Sequence, residues 1–107
     1  SELKIATLIE GRGEQVKIGQ TVTLHYSGFL WDGQTQFDSS WDKGQPAQFK
    51  LAEGSLINGF LKAVEGQTIG SQVVAVIPPS EGYGDTEQGS IPAGSTLVFV
   101  IDILGAN

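Results

Sequence analysis

The sequence lacks cysteine, and this absence excludes several kinds of site. With no thiol among its 107 residues, the chain has no disulfide bond, no thiolate metal site and no cysteine nucleophile. Basic residues are also few, because six lysines and arginines face twelve acidic residues, for a formal net charge of −6. The basic residues are scattered along the chain and form no stripe that would follow a phosphate backbone, so we expect no nucleic-acid partner.

Long hydrophobic runs are absent as well. No apolar run approaches the roughly 18 residues that a membrane-spanning helix needs, so we expect no transmembrane segment. No signal peptide is visible at the start of the chain. The first residue is Ser1 rather than methionine, so the sequence leaves open whether this domain was excised or processed from a longer product.

The composition is that of a turn-rich globular chain. Fifteen of the 107 residues are glycine, about twice the usual ~7%, while 39% are hydrophobic, which separates the chain from disordered sequences. A chain of this length buries a useful core without disulfides or a metal. We therefore predict a single domain over residues 1–107.

Alternating apolar residues predict several strands. In "TVTLHYSGFL", Val22, Leu24 and Tyr26 alternate with polar residues, which indicates a half-buried strand over 21–30. Asp32-Gly33 is a reversal signal after it. The β-branched segment 96–104 is apolar on both faces and is expected to be a central strand. Further strands are predicted over 3–10, with an irregularity after Ala6, and over 35–38, 47–51 and 71–78.

One helix is predicted, in "SLINGFLKAVEG" (residues 55–66). Ile57, Phe60, Leu61 and Val64 follow the i, i+3, i+4, i+7 pattern of an apolar helix face. Ser55 is a candidate cap at the start, and Gly66 stands where a left-handed C-terminal cap would fall.

Gly59 inside the predicted helix weakens its helix propensity by about 1 kcal/mol. The helix is therefore expected to depend on packing against a sheet. Together the elements predict an α+β fold, in which a five- to six-stranded antiparallel sheet is curled around one short α-helix. The seventeen-residue loop 79–95 is long enough to indicate a functional role.

The sequence contains no standard catalytic motif. His25 is the single histidine, and its position in the alternating strand favours a structural role on the outer face over membership of a catalytic triad. Asp38, Ser40 and Asp42 have the first spacings of a calcium-binding loop. The comparison then fails, because Lys43 and Phe49 stand where that loop needs glycine and glutamate.

Aromatic and aliphatic residues beside turns are the remaining candidates for a site. One interpretation is that all of them form core, and for Phe49 and Leu97 it is the favoured one. It is weaker for Tyr83, which lies between two glycines in a long polar loop and whose hydroxyl needs a partner. An apolar pocket bearing Asp38 and tyrosine hydroxyls would suit a small ligand or a peptide. The candidates are Tyr26, Phe37, Phe49, Ile57, Phe60, Tyr83, Ile91 and Phe99.

At this point the sequence resembles a known family. The segments "VTLHYSGFL", "FDSSWDKGQP", "FKL", "LINGFLKAVEGQTIGSQVVAVIPPSEGYG" and "IPAGSTLVFVIDIL" occur in the order found in FKBP-type peptidyl-prolyl cis-trans isomerases, and they cover residues 11–104. "FDSSWDKGQP" and "TLVFVIDILGA" look most like actinobacterial members. Those proteins are often exported and lipid-anchored, so an extracytoplasmic location is favoured over a cytoplasmic one.

The resemblance implies fold, activity and partners. It implies an antiparallel sheet wrapped across a short helix, and a peptidyl-prolyl isomerase that uses no cofactor, no metal and no covalent intermediate. The expected partners are proline-containing peptides, unfolded proteins and macrolide inhibitors such as tacrolimus and rapamycin. A monomer is expected.

The resemblance also implies the residues of the site. By position, the catalytic residues would be Tyr26, Phe37, Asp38, Ile57, Phe60, Tyr83 and Phe99. The substrate-binding residues would be Leu56, Ile91, Phe49, Lys43 and Ala47. In the family's ligand complexes, the residues matching Ile57 (through its backbone N–H) and Tyr83 (through its hydroxyl) donate to ligand carbonyls, and the residue matching Asp38 accepts from a ligand hydroxyl.

Four departures from the family pattern bear on that site. Phe60 stands in place of a common tryptophan, and Ala47 in place of a large aromatic. Lys43 replaces a frequent arginine and lacks its planar fork. The flap over residues 85–90 is about one residue shorter than in single-domain eukaryotic members.

Two other functions stay open on the sequence alone. The first is a chaperone-like module of the same fold that binds proline-containing segments with little or no catalysis, which Ala47 and the short flap motivate. The second is a secreted calcium- or glycan-binding domain, which rests on the acidic balance.

Overall fold

A computed structural model describes residues 3–31, 36–52, 57–87 and 91–107. These residues form six strands and one α-helix, which confirms the predicted α+β class. The strands are β1 (Lys4–Ile9), β2 (Thr21–Leu30), β3 (Gln36–Ser39), β4 (Ala47–Lys50), β5 (Gln72–Ile77) and β6 (Leu97–Ala106), the helix is α1 (Asn58–Val64), and a short 3₁₀ helix spans Pro79–Glu81.

All described strand pairs are antiparallel, and the strands join in the order β1-β5-β6-β2-β3. β4 pairs with β2 on the same edge as β3. β6 lies between β5 and β2, which confirms the central position expected from its two apolar faces. The predicted reversal at Asp32-Gly33 falls outside the described residues.

The core lies on the inner face of this sheet, where side chains of β2, β5 and β6 alternate inward. In β2 the inward positions are Val22, Leu24, Tyr26 and Gly28, all buried, while the intervening residues are half-buried. This is the period of two that the sequence predicted. The helix covers the same face with Phe60, Leu61, Ala63 and Val64, which are buried in the same cluster.

Helix α1 is shorter than the predicted segment 55–66. Its N-cap is Ile57, with extended dihedral angles and no side-chain cap, and the candidate cap Ser55 lies outside the described residues. At the other end, Gly66 has φ of 80° just beyond the C-cap Glu65, which confirms the left-handed end expected there.

Gly59 faces Ile77 of the sheet with no room for a side chain. A Cβ atom at this position would lie 2.5 Å from Cγ2 of Ile77 on β5, which is closer than any van der Waals contact. The glycine that weakens the isolated helix therefore allows the helix to pack on the sheet.

The first strand contributes little to the core. β1 pairs with β5, with a register shift between Thr7 and Ile9, close to the irregularity predicted after Ala6. Every residue of β1 is exposed, and Leu8 and Ile9 are both 58% exposed. Among the described residues, no helix is long and apolar enough to cross a bilayer.

Candidate functional site

A β-bulge in β3 brings Phe37 and Asp38 to the same side of the sheet. Gly28 pairs with Asp38, and Phe29 pairs with Gln36, so Phe37 has no partner across the ladder. Consecutive strand residues normally point to opposite faces, and a bulge re-aims one of them. The Phe37 ring therefore contacts Phe99, while the Asp38 carboxylate reaches the Tyr26 hydroxyl.

Five aromatic rings meet at this place, and we call them the aromatic cluster. Phe60 on α1 lies near its centre, with ring centroids 5.1 Å from Phe99 and 6.0 Å from Tyr26. All six ring pairs of the cluster are edge-to-face or tilted, which is the favourable arrangement for aromatic quadrupoles. The cluster consists of Tyr26, Phe37, Phe49, Phe60 and Phe99.

Gly28 makes room for two of these rings, and sequence reasoning missed it. A Cβ atom on Gly28 would lie 2.7 Å from Cζ of Phe37 and 2.9 Å from Cε1 of Phe99. A side chain here would push both rings away from β2. The signal in the sequence was a glycine at an inward position of a strongly alternating strand.

A carboxylate network lies at the edge of the aromatic cluster. The Tyr26 hydroxyl donates to Oδ2 of Asp38 at 2.5 Å, while Oδ1 accepts from the Ser39 backbone N–H at 2.9 Å and lies 3.1 Å from Nζ of Lys43. Lys43 therefore pairs with Asp38 through one contact, without the two-pronged geometry that arginine offers.

This network changes the pKa values of Asp38 and Tyr26. Burial alone would raise the pKa of Asp38, but hydrogen bonds from Tyr26, Lys43 and the Ser39 N–H outweigh it and hold that pKa below its ordinary value. Burial, the hydrogen bond to Asp38 and the charge of Asp38 raise the pKa of Tyr26 well above its ordinary value, and the Tyr83 phenol adds a smaller effect of the same sign. At neutral pH the site therefore presents a carboxylate and a neutral phenol.

Tyr83 and Ile91, from the loop 79–95, occupy different environments. Tyr83 is 37% exposed, in agreement with the prediction that nearby sequence does not bury it. Ile91 is 6% exposed and belongs to the core. The base of the loop is tied to the helix, because Nζ of Lys62 lies 2.5 Å from Oε1 of Glu81 in the 3₁₀ helix.

The remaining predicted residues border the cluster from β4 and from the start of the helix. Ala47 and Phe49 are half-buried on β4, and Ile57 is half-buried at the N-cap of α1. All three pack against the core. Leu56 lies outside the described residues.

Ser40 is a second residue that the sequence did not mark as part of the site, since it was considered only for the calcium-loop spacing. It is 1% exposed, and its hydroxyl accepts from the Tyr26 backbone N–H at 2.7 Å. On the outer side its oxygen lies 2.8 Å from Nδ1 of His25. The His25 ring stacks on Trp41 at 3.7 Å between centroids, which agrees with the structural role expected for the histidine.

An apolar cluster with one fixed carboxylate defines a binding site for a largely apolar ligand that carries a few polar groups. The chain belongs to the FKBP-type peptidyl-prolyl cis-trans isomerases, whose family model matches residues 12–104. It is thus an enzyme that accelerates cis-trans exchange of X–Pro bonds.

Curated relatives and a solved structure agree with this assignment. The chain is 38% identical to an FK506-binding protein of Streptomyces anulatus, over 97% of this chain and 86% of the relative. It is 38% identical to a probable FK506-binding protein of Corynebacterium glutamicum, over 98% of this chain and 87% of that protein.

Two further relatives are longer proteins. FK506-binding protein 2 of Gibberella zeae is 45% identical over 81% of this chain, which spans 45% of that relative. The crystal structure of FkpA from Escherichia coli superposes with a TM-score of 0.90 at 35% identity, covering 98% of this chain and 48% of FkpA. The likeness to FkpA confirms the expected fold.

Proposed function

We propose that the aromatic cluster is the place where this isomerase binds the proline ring and twists the X–Pro bond. The observation that carries the proposal is the meeting of five aromatic rings with the hydrogen-bonded pair Tyr26–Asp38. A compact, apolar ring such as that of proline suits a cluster of edge-to-face aromatic rings.

Rotation about the X–Pro bond needs little from the side chains beyond an apolar environment. The X–Pro bond has partial double-bond character, with a rotation barrier of about 18–20 kcal/mol, and uncatalysed exchange takes tens to hundreds of seconds. The planar amide has more charge separation than the twisted one, so water stabilises the ground state more. An apolar site removes that preference and binds the twisted form relatively better. Rotation requires no nucleophile, metal or general base.

Polar groups around the cluster would orient the peptide. Asp38 already accepts from Tyr26, Lys43 and the Ser39 N–H. A carboxylate has about four lone-pair sites, so one stays available for a ligand hydroxyl. The N–H of Ile57 has no acceptor among the described residues, and it would donate to a substrate carbonyl. The Tyr83 hydroxyl would donate to another.

The same site is proposed to bind macrolides and proline-containing segments of unfolded proteins. Relatives that share most of this chain are named FK506-binding proteins, which supports tacrolimus and rapamycin as ligands. The small side chain of Ala47 leaves more space beside Phe49 than a large aromatic would, so ligands with bulky substituents on that side are expected to fit.

Exchange of an X–Pro tetrapeptide, followed by NMR or by a protease-coupled assay, tests the proposal. Phe37→Leu removes a half-buried ring of the cluster and is expected to lower kcat/KM about tenfold, because a ring contact of this size contributes on the order of 1.4 kcal/mol. Tyr83→Phe is expected to lower it severalfold.

Trp31→Leu is the matched control, because Trp31 is an aromatic residue that is 64% exposed and has no part in the cluster. It should keep wild-type kcat/KM. Equal losses in the Phe37 and Trp31 variants would contradict the proposed site. Binding of tacrolimus without any acceleration of exchange would favour the non-catalytic binding module instead.

Two expectations from the sequence stay predictions. A monomeric state is tested by sedimentation equilibrium at micromolar concentration, where a single species of 11.3 kDa is expected. An extracytoplasmic location is tested by fractionating cells of the source organism.

A further inference from the structure

Two neighbouring serines are buried in this small domain, and they have different contacts. Ser39 is 4% exposed and Ser40 is 1% exposed. The Ser39 hydroxyl lies 3.5 Å from that of Ser27. The Ser40 hydroxyl instead contacts the backbone of Tyr26, whose ring belongs to the aromatic cluster.

Ser40 fills a gap in the pairing of strand β2. On this edge β2 pairs with β3 as far as Ser27↔Ser39 and with β4 as far as Leu24↔Ala47. Neither strand reaches Tyr26. Ser40 supplies the missing partners, because its backbone N–H donates to Tyr26 O at 3.0 Å and its Oγ accepts from the Tyr26 N–H at 2.7 Å. Buried backbone groups without such partners would be costly.

The hydroxyl proton of Ser40 has two possible acceptors. One is Nδ1 of His25 at 2.8 Å, and the other is Tyr26 O at 3.3 Å. When Nδ1 carries no proton, the Ser40 hydroxyl donates to Nδ1, which is the nearer acceptor. A lone pair of the hydroxyl oxygen then accepts from the Tyr26 N–H. The stack of His25 on Trp41 holds the imidazole ring in place for this contact.

Tyr26 is therefore fixed at two points. Its backbone is held by Ser40, and its hydroxyl is held by Asp38. We propose that Ser40 is a positioning residue for the isomerase reaction, acting through the backbone of Tyr26, and that His25 completes its hydrogen bonding. This inference rests on the proposed function of the aromatic cluster. It assigns a catalytic consequence to a turn residue that does not itself contact the substrate.

Ser71 offers a matched comparison, because it is also 1% exposed and its hydroxyl also accepts from a backbone N–H, that of Gly11 at 2.9 Å. Neither Ser71 nor Gly11 belongs to the aromatic cluster or to its carboxylate network. Ser40→Ala and Ser71→Ala are measured for kcat and KM with an X–Pro tetrapeptide, and Ser40→Ala also for hydrogen exchange of the Tyr26 amide. Ser40→Ala is expected to lower kcat/KM about tenfold, since small misplacements of a binding wall cost this much or more. It should also speed exchange of the Tyr26 amide at least about tenfold. Ser71→Ala should change kcat/KM by less than about twofold.

A merely structural role would lower stability alike in both variants and leave kcat/KM of the folded protein unchanged. Equal kcat/KM in Ser71→Ala and Ser40→Ala, both folded, would overturn the proposal. If Ser40→Ala does not fold, Ser40→Cys takes its place under the same criteria. The chain has no other cysteine, and a thiol is a weak acceptor for the Tyr26 N–H.

The Phe37→Leu variant separates this inference from the function on which it rests. If Phe37→Leu lowers kcat/KM and Ser40→Ala does not, the positioning role is wrong and the site stands. If Phe37→Leu has no effect, the proposed site itself is wrong, and the role of Ser40 is overturned with it.

Discussion

The Tyr26 hydroxyl donates to Oδ2 of Asp38 at 2.5 Å, and this contact joins a wall of the aromatic cluster to its carboxylate. The bulge at Phe37 makes the contact possible, because it turns Asp38 toward β2 without moving Phe37 out of the cluster. The two residues are therefore coupled: the carboxylate raises the pKa of the phenol, and the phenol lowers the pKa of the carboxylate.

The first prediction concerns the phenol. Because burial is the largest cause of the raised Tyr26 pKa and the hydrogen bond and charge of Asp38 come next, Asp38→Asn should lower that pKa but leave it above the ordinary value of about 10. The measurement is absorbance of the phenolate, in a Tyr83→Phe background that leaves Tyr26 as the single tyrosine. Identical titrations with and without Asp38 would show that the contact does not affect the phenol.

The second prediction is a pH dependence of stability. The pKa of Asp38 is lower in the folded protein than its ordinary value of about 3.9. Its stabilising contribution is therefore fully present above the unfolded-state pKa and is lost as the pH falls through the folded-state pKa. The difference in free energy of unfolding between wild type and Asp38→Asn should be constant above about pH 5 and shrink below about pH 4. Urea denaturation at a series of pH values measures it, and a constant difference down to pH 3 would contradict the assignment.

The third prediction concerns Gly59. Alanine normally stabilises a helix by about 1 kcal/mol relative to glycine, but here its Cβ would lie 2.5 Å from Ile77. Gly59→Ala is therefore expected to destabilise the protein by about 1–3 kcal/mol, measured by urea denaturation. Asn58→Ala, at the exposed first position of the same helix, is the control and should change stability by less than about 0.5 kcal/mol.

A double variant checks the cause of the Gly59 effect. In Gly59→Ala with Ile77→Ala the clash is removed, so the double variant should be more stable than the sum of the two single effects predicts. Strict additivity would mean that the loss arises elsewhere.

The fourth prediction concerns the ion pair Lys62–Glu81, which ties α1 to the 3₁₀ helix that precedes Tyr83. As both side chains are partly exposed, each single substitution, Lys62→Met or Glu81→Gln, should cost less than about 1 kcal/mol of stability. Each should lower kcat/KM about two- to threefold, since Tyr83 loses part of its anchoring. The exchanged pair, Lys62→Glu with Glu81→Lys, should recover most of the activity.

The Tyr83→Phe background tests whether the ion pair acts through Tyr83. With the phenol hydroxyl removed, the same substitutions should have little further effect on kcat/KM. A loss of the same size in that background would mean that the ion pair acts through another part of the site.

The sequence predicts those features that depend on local periodicity and on ordered motifs. Alternation in 21–30 places Val22, Leu24 and Tyr26 on one face, and the helical pattern places Phe60 on the covering helix. Both are as the structure has them. The resemblance of the motifs to the FKBP family identifies aromatic residues for the site, and the fold brings Tyr26, Phe60 and Phe99 together.

Other features depend on where separate segments meet, and they escape a reading of the sequence. The bulge at Phe37 is a matter of register between β2 and β3. Gly28 and Gly59 matter because rings or side chains from other elements approach them. Ser40 matters because β4 begins too late to pair with Tyr26.

Tyr26, Phe60 and Phe99 belong to the buried core and are also members of the aromatic cluster. The fold and the site thus draw on the same side chains. Stability and binding cannot easily change independently at these residues, since a mutation that loosens the core also disturbs the surface where proline would bind. Purifying selection on stability alone would therefore preserve most of the proposed site, and adaptive change in substrate preference would be directed to its rim, at positions such as Ala47, Lys43 and Tyr83.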